Sequence, residues 1–239
     1  MPLYAEIPVL KIACSSNFVT TLNKIITSYK KEHKVDFIVM QGSSGKLSSQ
    51  IINGLPANIF LSADQAHAQY LIKHSIAHKK FIYAIGQVVL LTNSTHKYSS
   101  AKDYLLHANI DHLSMANPKL APYGSHAKEF LKTRKLWDKF RSKIVYGENI
   151  NQVFNYVIKG NVKAGFVALS QINQYEALYG KLKYPWKIYL LNSPMSYIDQ
   201  YGVILNHSTN KNDAEDFINY LLNSKQSQIR LHNMGYKIS

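Results

Sequence analysis

Residues 35–64 read VDFIVMQGSSGKLSSQIINGLPANIFLSAD, and this stretch decides the fold. Residues 35–40 form a short apolar run of the kind that makes a strand. The Gly42-Ser43-Ser44-Gly45 turn follows, and Leu47 and Ile51 then mark, four residues apart, the inner face of a helix over 47–53. Residues 59–61 read as the next strand. Working outward, the same alternation extends over nearly the whole chain. Strand 9–13 and helix 18–31 come before, with further strands at 88–91, 113–115, 144–146, 164–167, 188–191 and 201–205. Helical periodicity fits 66–74, 127–134, 153–159 and 214–222. Such alternation predicts an α/β protein with parallel sheets. The strands outnumber those of a typical flavodoxin-like domain, so two lobes are expected. No internal repeat or low-complexity linker is visible, and the pattern alone does not place the boundary.

Composition narrows the function classes. A chain of 239 residues with 46% hydrophobic content can bury a sizeable core. The longest nearly apolar stretch, 81–92, is broken by Gly86 and Gln87 and falls short of the ~20 residues a membrane helix needs, so a soluble protein is expected. No basic leader with an apolar segment opens the sequence; Leu3-Tyr4-Ala5 before Glu6 has the character of a leader's tail. The single Cys14 excludes an internal disulfide. The net charge of +14 invites a nucleic-acid reading, but the only arginines are Arg134, Arg141 and Arg230, and the lysines are dispersed, with no run longer than Lys30-Lys31 or Lys79-Lys80. A solvated basic surface that attracts small anions fits better. The seventeen tyrosines are likewise dispersed and form no stacking platform.

The informative positions are four turns between a strand and a helix. They are Ser15-Ser16-Asn17, the Gly42–Gly45 turn, Asn117-Pro118 with Ala121-Pro122-Tyr123-Gly124-Ser125, and Gly147-Glu148-Asn149-Ile150. Each offers small or polar residues at a helix N-terminus, where unpaired N–H groups and the helix dipole favour an anion. One such turn is ordinary capping; four together point to an oxyanion site. Competing motifs fail. Gly45-Lys46 resembles the end of a phosphate-binding loop, but Met40 and Leu47 occupy positions that need Gly and Ser or Thr. The turn lacks nucleophile-elbow spacing. His74 and His78 lack the intervening Glu and a third ligand, and read as surface histidines. No catalytic constellation stands out, so no enzyme, no cofactor and no metal-cation ligand is expected.

At these same turns the sequence resembles the molybdate/tungstate-binding periplasmic proteins of ABC transporters, across nearly its whole length. Residues 42–64 resemble the family pattern S-S-G-x-L-x-x-Q-I-x-x-G-A-P-x-D-x-F-x-S-A-D, and Asn117-Pro118, Ala121–Gly124, Gly147–Asn149 and Gly165–Leu169 agree in order and spacing. The resemblance implies a two-lobed type II periplasmic binding fold, each lobe a mostly parallel sheet flanked by helices, with the ligand in the cleft. It implies a discontinuous first lobe, 1–84 with 197–239, and a second at 85–196. It implies oxyanion contacts from Ser16, Asn17, Ser44, Tyr123 and Ile150, the last two through backbone N–H. Function follows as an expectation: a monomeric periplasmic subunit binding molybdate or tungstate and delivering it to an ABC permease in the inner membrane, with sulfate or another oxyanion as the alternative ligand and no nucleic-acid partner. The chain departs from many relatives in two places. Ser16-Asn17-Phe18 replaces Ala-Ser-Leu, and Ala168 stands where many have a tyrosine hydroxyl; a branch of the family resembles this chain in both.

Overall fold

The computed structural model describes residues 7–183, 185–208 and 210–238. The chain divides into two compact units. One comprises Met1–Ala84, Gln200–Asn233 and Ile238–Ser239, the other Ile85–Asp199 and Met234–Lys237.

In the first unit, strand β1 (Val9–Ser15) leads to helix α1 (Val19–Tyr29), β2 (Asp36–Gly42), α2 (Ser44–Ile52), β3 (Ile59–Ser62) and α3 (Gln65–Lys73). Strand β1 lies parallel to both β2 and β3, and β9 (Tyr197–Leu205) pairs antiparallel with β3, so the order is β2-β1-β3-β9. The residues Leu47 and Ile51, which define the α2 face, bury against Ala13, Phe60, Leu71 and Val203. Removing such side chains from water is the main favourable term in holding helix to sheet. Elsewhere in the unit, Tyr29 of α1 makes edge contacts with Phe37 and with Phe217 of α9 (Lys211–Asn223). Helix α10 (Lys225–Asn233) packs on α1 and α9.

The second unit begins within β4 (Ala77–Asn93) and continues through α4 (Ala101–His107), β5 (Leu113–Ala116), α5 (Pro122–Thr133), α6 (Trp137–Phe140), β6 (Ile144–Gly147), α7 (Ile150–Ile158), β7 (Ala164–Ala168), α8 (Leu169–Tyr179) and β8 (Trp186–Leu190). Strand β5 is parallel to β6 and β7, while β4 runs antiparallel to β7 and β8.

The units share one plan. The order β6-β5-β7-β4 repeats β2-β1-β3-β9: a central strand, its two parallel partners and an antiparallel neighbour. The repetition extends to atoms. Ser16 N–H, just past β1, donates to the carbonyl of Gly42 at the end of β2 (2.9 Å), and Asn117 N–H, just past β5, donates to the carbonyl of Gly147 at the end of β6 (2.7 Å). A side chain at Gly42 would meet Leu47 at 3.2 Å, and one at Gly147 would meet Val153 at 2.8 Å; both partners are the fourth residue of the following helix. The sequence shows no repeat because the likeness is one of topology and contact, not of residue identity.

Against the expected bounds of 197–239 for the returning segment, the compact units divide at residue 200, and 234–237 lie with the second unit. Ile85 and Lys237 exchange backbone hydrogen bonds of 2.9 and 3.0 Å, Tyr236 Oη donates to Ser170 Oγ at 3.0 Å, and the Lys237 ammonium sits 3.9 Å from the Tyr197 ring centroid. Among the described residues, no helix is long and apolar enough to cross a membrane.

Candidate functional site

The four turns lie where the sequence placed them, at the carboxyl ends of β1, β2, β5 and β6, the edge at which open α/β sheets receive ligands. None of the helices that follow, α1, α2, α5 or α7, carries an acidic residue in its first turn, so no first-turn carboxylate opposes an anion.

In the first unit, the structure brings Ser16 and Asn17 beside the start of α2. Because the Ser16 N–H is spent on Gly42, what Ser16 has left to offer a ligand is its hydroxyl. Asn17 is 2% exposed and held at both ends of its carboxamide. Its Oδ1 accepts from Ser15 Oγ at 2.9 Å, and its Nδ2 donates to Gln200 Oε1 at 3.0 Å. Gln200 Oε1 also accepts from Tyr83 Oη at 2.9 Å, and that hydroxyl lies 3.0 Å from the Ser62 carbonyl. The acceptor atom of Asn17 is thereby turned into the protein. Ser44, the first residue of α2, is 1% exposed; its Oγ accepts from Ala63 N–H at 2.9 Å, which fixes the oxygen and leaves the hydroxyl proton to donate.

In the second unit, Tyr123 and Ile150 stand in the first turns of α5 and α7 and are 2% and 3% exposed. Helix α5 starts with Pro122, which has no N–H, and the Gly124 and Ser125 N–H groups go to the Ala121 carbonyl. A Cβ at Gly124 would stand 2.1 Å from the Ala116 carbonyl oxygen, so only glycine lets this turn sit against the end of β5. At α7 the accounting is sharper. Asn149 Oδ1 caps the N–H groups of Asn151 (3.0 Å) and Gln152 (3.1 Å), and Val153 N–H reaches the Asn149 carbonyl at 3.4 Å. Among the described residues, Ile150 N–H is the first-turn donor of α7 left without a partner. Gln171 clamps this end: its Nε2 donates to the Ile150 carbonyl (3.1 Å) and Asn151 Oδ1 (2.8 Å), while its Oε1 accepts from Ala168 N–H (3.0 Å).

Sequence reasoning missed Ser15, Tyr83, Gln200, Asn149 and Gln171 as supports. Gln200 lies 183 residues from Asn17, beyond the reach of any local pattern. Asn149 was legible as an N-cap; Gln171 followed no motif. The histidine pair separates: His74 closes α3 and bonds the Tyr70 carbonyl, whereas His78 lies on β4 against Asn206. Among the described residues, no cluster of three metal-ligating side chains occurs. Burial pushes the Cys14 thiol well above its ordinary range, so it packs as an inert apolar group.

The chain belongs to the bacterial extracellular solute-binding protein family, whose model matches residues 10–237. The molybdate-binding protein ModA of Azotobacter vinelandii is 33% identical over 231 residues, covering 94% of this chain and 88% of that one. The corresponding protein of Rhodobacter capsulatus is 30% identical over 67% of this chain and 64% of its own length. Among solved structures, the A. vinelandii periplasmic molybdate-binding protein superposes with a TM-score of 0.88 at 29% identity, covering 96% and 99% of the two chains. The substrate-binding domain of a molybdenum ABC transporter from Clostridium difficile, described as putative, superposes at 0.72 with 25% identity, covering 97% and 99%.

Proposed function

We propose that this chain is the solute-binding subunit of a molybdate ABC importer. It binds the tetrahedral dianion, molybdate or tungstate, through neutral donors and hands it to a permease in the inner membrane. The donors are Ser16, Asn17 and Ser44 in one unit and Tyr123 and Ile150 in the other. The observation that carries the reading is the donor-only chemistry of these helix ends. The first turns hold no acid, the Asn17 carbonyl oxygen is engaged by Ser15, and the first-turn N–H groups of α7 are capped except at Ile150. A fully deprotonated oxyanion presents only acceptors and matches such a set. Phosphate carries a P–OH proton that wants an acceptor. The sequence likeness to the molybdate-binding proteins supports the same conclusion.

In this reading the protein acts in the periplasm as a monomer, catalyses nothing, holds no cofactor and binds no nucleic acid. Its charge of +14 gathers anions without a cationic side chain in the site. A thermal-shift panel of molybdate, tungstate, sulfate and phosphate tests it. Molybdate and tungstate at 100 times Kd should stabilise the fold by ~2.7 kcal/mol. Phosphate should have no effect, and a larger shift with sulfate would favour the alternative ligand. Equal shifts for phosphate and molybdate would overturn the donor-only argument.

A further inference from the structure

Ser43 occupies the N-cap of α2 with an extended backbone, φ −71° and ψ 150°. Serine in that position ordinarily accepts a hydrogen bond from the second or third N–H of its helix. Ser43 makes no such bond. Asp64, Ser100 and Asn149, the N-caps of α3, α4 and α7, all do. Ser43 is 3% exposed, and its Oγ has no hydrogen-bond partner among the described residues.

The polar groups flanking it are already engaged. The Gly42 carbonyl receives Ser16 N–H, the Ser43 carbonyl receives Leu47 N–H, and Ser44 Oγ receives Ala63 N–H. Behind the turn, a Cβ at Gly42 would meet Leu47 at 3.2 Å. A buried hydroxyl left idle carries a desolvation cost that a partner would remove. A capping serine would also consume N–H groups at the mouth of α2. This one caps none of them and leaves its own hydroxyl to something arriving from outside.

We propose that Ser43 Oγ is a further donor to the bound oxyanion, beside Ser44, and that α2 forgoes its cap to keep this end open for the ligand. The inference rests on the oxyanion reading above and adds to it a residue that the family resemblance does not assign. It makes α2 the helix that contributes two adjacent hydroxyls to one anion.

The test is calorimetric titration of the full chain with sodium molybdate, using the wild type, Ser43→Ala and Ser43→Gly, with melting curves recorded in the absence of ligand. Glycine keeps a backbone that N-caps accept, so both variants should fold. Loss of one hydrogen bond to a charged group should raise Kd about 10- to 150-fold in both variants. The melting temperature without ligand should not fall below the wild-type value, because the hydroxyl bonds nothing within the protein and its removal lifts a desolvation cost. An unchanged Kd, or a lowered ligand-free melting temperature that reveals an internal bond, would overturn the role of Ser43 while wild-type binding left the function standing. A wild type that binds neither molybdate nor tungstate would overturn the function and this inference together.

Discussion

Replacing Gly124 by alanine tests whether the first turn of α5 is positioned by backbone contact. The added Cβ would stand 2.1 Å from the Ala116 carbonyl oxygen, 2.7 Å from its carbon and 3.1 Å from the carbonyl carbon of Asn117. Ordinary contact begins near 3.4 Å, so the turn must withdraw by about 1.3 Å from β5. Every atom in the way is backbone, and no rotamer change relieves it. Overpacking of this kind costs ~1–3 kcal/mol, set against up to ~1 kcal/mol gained from alanine's helix propensity. The net loss of ~0–3 kcal/mol corresponds to a fall of up to several degrees in melting temperature, at ~2–4 °C per kcal/mol for a chain of this size.

Binding should suffer more than stability. A donor at about 2.9 Å that retreats by about 1.3 Å no longer makes a hydrogen bond. The Tyr123 backbone donor should therefore be lost, with ~1.5–3 kcal/mol of affinity for a charged acceptor. Calorimetry with molybdate and melting curves on the same samples separate the two effects. A Gly124→Ala protein with wild-type affinity would refute the positioning argument, whatever its melting temperature.

Ser44→Ala should weaken molybdate binding by ~1.5–3 kcal/mol, since it removes a fixed hydroxyl donor, whereas Tyr123→Phe should cost much less because its backbone is unchanged. The reverse ranking in titrations would show those residues to be misassigned. Asp64 caps α3 through His67 N–H at 3.1 Å. Burial raises its carboxyl, but the side-chain bond, charge and backbone N–H of His67, with a bond from Ser62, outweigh that and hold it below the usual range. With the folded value depressed, its stabilisation is present above the unfolded value of ~3.9 and lost as pH falls below it. Asp64→Ala should cost ~0.5–2 kcal/mol at pH 7 and flatten the acid limb of the stability curve; urea melts with parallel pH dependence for the two proteins would contradict this.

The sequence by itself determined the α/β class, the strands 9–13, 59–61, 113–115, 144–146 and 164–167 within a few residues, and the four turns. These were legible because short apolar runs and polar glycine turns are local signals. Helix starts were read late, at 47, 127 and 153 against Ser44, Pro122 and Ile150, for one reason. Their first turns offer backbone and hydroxyl groups and carry little apolar periodicity. Helix α8 escaped notice because its buried residues, Ser170, Gln171 and Ile172, make no apolar stripe. Strand β4 was seen only at 88–91 because Lys79, Lys80 and Gly86 interrupt the rest of Ala77–Asn93.

Only the tertiary structure decided how the donors are held. The Asn17 carboxamide is oriented by Gln200 and, through it, by Tyr83, residues far apart in sequence that meet because β9 returns beside β3. Ile150 became the open donor of α7 only when the bonds of Asn149 to Asn151 and Gln152 were in place, and Ser43 stood out only by a bond it does not make. Local sequence fixes which residue types occupy a turn. Which of their donors remain unspent depends on every partner that the rest of the chain brings to them.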